Sequence, residues 1–417
     1  MADVQLPNRW GIAVAAVIMQ ICLGAVYAWS VFVKPLVSLE HWTLTQVSLS
    51  FTINVFFIGV GTVIGGMWMD SAGPRKVATV GGIIYGLGYT LSSYAASHQS
   101  LPLLYLCYGV LAGTGGGMGY ICPVATIAKW FPDKRGVMTG LAVTGYGAGA
   151  LLMGPIAARE IVSGGVPRTF LFFGVAYLVG VLATAQFYAN PPAGWKPAGW
   201  VPTTAVAKAA GTYDYTVKEA STTWQMWMLW LLLFLCVSAG IMIISQASPI
   251  AQQQGHITAV AAGTMVGLLG IFNAAGRFFW AWISDYIGRA RVYFLLYLIF
   301  AAIFFVLPRI SSQSSLFVAF AGIYLCYGGG FGVMPSFTAD YFGARHMGGI
   351  YGWILLAWGV GGVVSPLMIA HLRQSTGQYT TAFHIILGVM VVSLVLPLIM
   401  RPPTGKAAAQ TQTAARL

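Results

Sequence analysis

Acidic residues are scarce in this chain. Nine Asp and Glu stand among 417 residues, and charged residues of both signs make up 7%, against roughly a quarter in soluble domains. So little charge cannot cover a water-facing surface, which argues against an ordinary soluble globular protein. Cysteine is rare too. Cys22, Cys107, Cys122, Cys236 and Cys326 form an odd set without CxxC or metal-ligand spacing. They read as small apolar residues, and neither a disulfide framework nor a metal site is expected. HExxH, GxSxG and GxxxxGK[ST] are all missing, and the six histidines lack ligand spacing. The glycine runs at 113–119 and 328–332 lie in apolar stretches, where they suit close packing and not phosphate binding. No enzyme is expected and no cofactor is implied. A sensor is disfavoured as well, because the tail RPPTGKAAAQTQTAARL is short and reads as disordered, without an output domain.

Apolar residues, by contrast, make up 58% of the chain. They recur in runs of about 20, the length that crosses a hydrocarbon core of about 30 Å. Twelve spans are expected: Trp10–Val33, Thr45–Met69, Val77–Ala96, Leu103–Ala128, Val137–Ala158, Thr169–Ala189, Trp224–Gln246, Ala259–Trp282, Val292–Leu307, Leu316–Ala339, Gly348–His371 and Ala382–Met400. The first has full transmembrane length, so no cleavable signal peptide is expected.

Charge orients these spans. With the N-terminus in the cytoplasm, fifteen of the 21 Lys and Arg fall inside. Lys34, Arg159, Arg168, Arg309 and Arg373 fall outside, and Arg277 falls in neither set. That is a positive-inside pattern with both termini cytoplasmic. The net charge of +12 therefore reads as topology. Its basic residues sit in separate short loops, so no nucleic-acid partner is expected.

The chain also repeats itself. GGMWMDSAGPRK (Gly65–Lys76) closes the second span and AWISDYIGRAR (Ala281–Arg291) closes the eighth. Each sets an acid at a helix end, a glycine three residues later and basic residues beyond. GGMGYICPVATIAKWFPDKRG (Gly116–Gly136) is echoed by GGFGVMPSFTADYFGARHMGG (Gly329–Gly349). The partners lie a little over 200 residues apart. The expected organisation is an N-terminal six-helix bundle over 1–189, a cytoplasmic linker over 190–223, a C-terminal six-helix bundle over 224–400 and a disordered tail over 401–417. Parallel repeats with a substrate site between them are a transporter architecture.

On these residues the chain resembles the major facilitator superfamily. Gly66, Asp70, Gly73, Arg75 and Lys76 match its loop signature G-xxx-D-xx-G-x-R-K, and the second copy keeps Asp285, Gly288 and Arg289. The resemblance implies an all-α membrane protein, twelve transmembrane helices in two pseudo-symmetric six-helix bundles. It also implies that Asp70, Arg75, Lys76, Asp285 and Arg289 form a cytoplasmic charge network that braces helix ends. GAVYAWSVF, WFPDKRG and NAAGRFFWAWISD resemble the monocarboxylate transporters and the oxalate/formate antiporters. That finer likeness implies proton-coupled symport of small monocarboxylates such as L-lactate or pyruvate through the inner membrane by a monomer. Exchange of organic anions is the alternative.

Arg277 lies inside the eighth span with no acid near it. A charge at that depth costs on the order of 3 kcal/mol or more. Asp285 is eight residues away, about 12 Å along a helix. Snorkelling toward the headgroups is one reading. The other is a water-filled cavity in which the substrate carboxylate is the counter-ion, gripped by two parallel hydrogen bonds. Asn273 lies one turn earlier on the same face, placed either to orient the guanidinium or to join two helices. Gly263, Gly267, Gly270 and Gly276 would let neighbouring helices approach. Tyr27, Tyr120, Tyr327 and Phe331 match cavity-lining positions of the family, and each alone could also serve packing. Relatives that carry oxalate place a second cation where Trp358 stands here. Proton-linked relatives place an aspartate where Asn273 stands.

Overall fold

The computed structural model describes residues 7–403 apart from 41, 193 and 201–213. Part of the expected linker and residues 404–417 of the expected tail thus lie outside the described residues. Among those described, regular structure is helical throughout. Twelve long helices follow in order: α1 Arg9–Ser38, α2 Leu44–Ala72, α3 Pro74–Ser97, α4 Leu101–Trp130, α5 135–164, α6 166–185, α7 Trp224–Gly255, α8 Ala259–Ile287, α9 Arg289–Arg309, α10 Gln313–Phe342, α11 Met347–Thr376 and α12 Thr380–Ile399.

Local chemistry sets their ends. Asn8, Thr43, Thr223, Thr258 and Ser312 accept hydrogen bonds from first-turn amides of α1, α2, α7, α8 and α10. Gly73 (φ 86°) and Gly288 (φ 94°) turn the chain from α2 into α3 and from α8 into α9. Both take a left-handed backbone that a side chain would strain, which explains the glycine three residues after each acid of the repeat. The loop expected between Ala158 and Thr169 is instead helical. Arg135–Ala185 forms 51 residues of helix broken only at Gly165, and at about 1.5 Å per residue that is far too long for one crossing. Among the described residues, ten helical stretches are long and apolar enough to cross a membrane. That set takes α5 and α6 together and leaves out α3, whose run is diluted by Gly, Ser, Thr and Tyr.

Packing repeats with the sequence. In the first half α1 packs on α5, α2 on α4 and α3 on α6; in the second, α7 packs on α11, α8 on α10 and α9 on α12. The halves meet through α2 against α11 and α5 against α8. These seams are tight because they are built on small residues. A Cβ added to Gly66 would lie 2.1 Å from the Gly348 carbonyl oxygen, and one on Gly140 2.5 Å from Ala281 Cβ. Arg9, Asp133, Asp285, Asp340 and Pro402 gather at one end of the bundle, hereafter the basic end.

Candidate functional site

Arg277 sits about 15 Å from the basic end of α8, ten residues before its last residue, Ile287. It has no exposed surface. Its Nε donates to Asn273 Oδ1 at 3.3 Å and its Nη1 to the Val143 carbonyl at 3.4 Å. Nη2 is buried without a partner. The guanidinium carbon lies 4.8 Å from the Phe331 ring centre and 5.6 Å from that of Tyr146. Such faces contribute on the order of 1–2 kcal/mol each when desolvated. Among the described residues no carboxylate bonds to this arginine, so the protein aims the charge without neutralising it. The sequence reading expected Arg277 to face an open, watered cavity; in this structure it is sealed on every side.

Backbone contact between α8 and α10 explains the seal. A Cβ on Gly276 would meet the Leu325 carbonyl oxygen at 2.0 Å, and one on Gly332 the Arg277 carbonyl oxygen at 2.0 Å. This close approach brings Tyr327 and Phe331 of α10 against Arg277. Gly263, Gly267 and Gly270, expected to serve similarly, have nothing within 4 Å of an added Cβ. On the other side α1 meets α5 at Gly24, where a Cβ would lie 2.0 Å from the Tyr146 carbonyl oxygen. Just beyond, α1 tightens into a 3₁₀ stretch, Ala25–Trp29, that carries Tyr27.

The result is an aromatic cage drawn from both halves. Tyr27 and Tyr327 share a hydrogen bond between hydroxyls at 3.2 Å, and Trp358 Nε1 donates to the Tyr327 hydroxyl at 3.1 Å. Tyr146 stands edge-on to Tyr27, Tyr120 and Trp358, with ring centres 5.6, 5.0 and 5.8 Å apart. Phe331 closes the ring against Trp358 and Tyr327. The structure therefore brings together all six residues singled out beforehand: Arg277, Asn273, Tyr27, Tyr120, Tyr327 and Phe331. Sequence reasoning missed Tyr146 and the Val143 carbonyl, and it saw Trp358 only as a missing cation. The glycine-rich stretch around Tyr146 was the one available signal, and the chain has 20 tyrosines to choose from.

Charged groups cluster at the basic end. Asp285, in the last turn of α8, accepts from the amides of Gly136 and Val137 in the first turn of α5 at 3.1 and 3.0 Å. Arg289 pairs with Asp285 at 2.7 Å and with Asp340 at 3.0 Å, and Arg135 reaches Asp340 at 2.8 Å. Asp70 is the pseudo-symmetric counterpart of Asp285: from the end of α2 it accepts from the Gly349 amide of α11 at 2.9 Å. In both places a carboxylate of one half caps a helix N-terminus of the other. Arg75 and Lys76, expected in the same network, are exposed, and no ion pair joins them to Asp70 among the described residues. Asp340 and Arg135 were not foreseen.

Residues 15–366 and 256–416 match the Major Facilitator Superfamily model. The chain is 27% identical over 407 residues to the oxalate:formate antiporter of Oxalobacter formigenes, covering 95% of this chain and 94% of that one. It is also 27% identical over 374 residues to apicoplast pyruvate carrier 1 of Toxoplasma gondii, covering 76% and 67%. Among solved structures, the human organic anion transporter MFSD10 superposes with a TM-score of 0.71 over 94% of this chain, at 14% identity; that likeness concerns the fold alone. Repeated six-helix halves, their small-residue seams and the matched family model lead to one conclusion: this chain is an integral membrane transporter of the Major Facilitator Superfamily.

Proposed function

We propose that the protein carries small monocarboxylates by alternating access, with Arg277 as the carboxylate anchor. One observation carries this reading: a fully buried guanidinium whose Nη2 has no partner. An unneutralised buried cation is costly, and a bound carboxylate removes the cost while using the bidentate geometry that suits it. The two relatives, named for oxalate, formate and pyruvate, point to small carboxylates as the wider class. Asn273 holds the guanidinium, Tyr27 with Tyr327 forms a lid over it, and Tyr120, Phe331, Tyr146 and Trp358 form apolar and polar walls. Trp358 supplies no second charge, so a dicarboxylate would bring one anion too many into a low-dielectric site.

Net transport is proton-coupled in this reading, the proton travelling with the acid, because Asn273 cannot titrate. The basic end faces the cytoplasm, the linker and tail lie there, and one chain suffices. Anion exchange is the second reading, favoured by the same unpaired Arg277. Returning the empty carrier means closing the cage around a bare charge, so acid-for-acid exchange outpaces net uptake. Proteoliposomes separate these readings. Accumulation of lactate or pyruvate under an inward proton gradient supports symport, and exchange alone supports the antiporter. Oxalate carried faster than both would end the monocarboxylate assignment.

A further inference from the structure

A cavity of about 1030 Å³ opens at the basic end, apart from the central site. Both halves line it: the end of α4 and the start of α5 from the first, the ends of α8 and α10 from the second. The linker adds Trp195, Lys196 and Trp200. Along α8 the cavity runs from Asp285 past Trp282 to Phe278, about 10 Å of helix. Phe278, Trp282 and Tyr286 follow at intervals of four on one helix face, and they are 39%, 42% and 76% exposed. On a spanning helix such a face meets lipid. The cavity thus joins an ionic end at the membrane surface to an apolar arm beside the acyl chains.

The ionic end carries surplus positive charge. Arg135, Arg289, Asp285 and Asp340 neutralise one another, and Arg9 takes Asp133. Lys129 lies within electrostatic reach of Asp214. Lys134 and Lys196 are exposed and form no ion pair among the described residues. Arg135 Nε is buried without a partner. Basic pockets between transmembrane helices suit anionic lipid headgroups. We propose that this cavity binds an anionic phospholipid of the adjoining leaflet. Its phosphate is held by Lys134, Lys196 and Arg135 Nε, and an acyl chain lies along Phe278 and Trp282. A zwitterionic lipid would bring its own cation to the lysines, and a free phosphate would leave the aromatic arm bare. Because the walls come from both halves, the lipid bridges them only while the basic end is closed, as it is here. Binding therefore favours this state over one with separated basic ends.

Native mass spectrometry of the solubilised protein, titrated with phosphatidylglycerol or phosphatidylcholine, tests the site. The wild type should prefer phosphatidylglycerol. Lys134→Ala with Lys196→Ala should weaken that binding about 30-fold, the worth of two lysines at a membrane surface. Arg75→Ala with Lys76→Ala removes the same charge from exposed positions outside the cavity and should leave binding near wild type. Melting curves check that both variants are folded. In phosphatidylcholine nanodiscs, spin-label distances between the first turn of α5 and the last turn of α8 report closure. Added phosphatidylglycerol should shift them toward the closed basic end, and added inorganic phosphate should not. No lipid preference in the wild type, or equal weakening in the two double variants, overturns the site. Closure by inorganic phosphate alone overturns the lipid as occupant. Binding that leaves the distances unchanged overturns the bridging of the halves.

Discussion

Two regions of the molecule bury charge in opposite ways. At the basic end Arg135, Asp340, Arg289 and Asp285 neutralise one another, and Asp285 caps α5 as well. At the centre Arg277 has an amide oxygen, a backbone carbonyl and two aromatic faces, and no carboxylate. The first arrangement is complete in the protein alone and serves to hold the halves together. The second is incomplete, and it becomes neutral only when something else supplies the anion. Internal pairing therefore marks the latch, and its absence is what singles out Arg277 as the proposed anchor.

The strongest way to break this contrast is to remove the central charge. Arg277→Ala should lower carboxylate uptake by 100-fold or more, about 3 kcal/mol of lost charge-assisted binding, with insertion and melting temperature preserved. Arg277→Lys should lose most of it too, since a point charge replaces the fork. Wild-type uptake by the alanine variant would leave Arg277 as a structural cation.

Converting the centre into the latch type is the next test. Asn273→Asp would place a carboxylate 3.3 Å from Arg277 Nε, where the amide oxygen now stands. Ionised, it competes with substrate for the guanidinium; protonated, it releases it. Uptake by the variant should therefore rise as pH falls, more steeply than in the wild type. A parallel pH profile for the two proteins would contradict internal pairing as the distinguishing feature.

Weakening the latch should have smaller effects. Asp285→Ala removes two caps and an ion pair, about 2 kcal/mol. It should raise the population with separated basic ends about 30-fold, read from spin-label distances between the first turn of α5 and the last turn of α8. Asp70→Ala loses one cap, about 1 kcal/mol, and should move the α2–α11 distance distribution about fivefold. Smallest of all, Arg75→Ala with Lys76→Ala should change either distribution less than twofold, as expected for exposed, unpaired side chains. A larger shift would mean that these residues close a network in another state of the carrier.

Much of this was legible in the chain. Span-length apolar runs marked the helices because a bilayer sets a fixed length. The repeated acid–glycine–basic pattern predicted paired turns, and Gly73 and Gly288 adopt the same left-handed backbone. Asn273 and Arg277 are one turn apart, so their contact followed from helical geometry. Tyr146 was illegible, since it carries no mark that separates it from tyrosines used only for packing. Asp340 bonds Arg135 across 205 residues, and no local spacing announces such a pair. The Ala158–Thr169 stretch fell between two expected apolar spans, whereas its backbone is helical and only Gly165 breaks it.

The amino-acid sequence by itself determined that the chain lies in a membrane, that it folds as two related halves, and that one arginine is stranded without an acid. These follow from composition, period and short-range spacing, which act within a single helix or a single turn. Tertiary structure alone decided what surrounds that arginine. Tyr27 meets Tyr327 from 300 residues away, and Asp70 and Asp285 each cap a helix of the opposite half. Such contacts depend on which glycine faces let two backbones touch, and that is settled only when all the helices compete for the same neighbours.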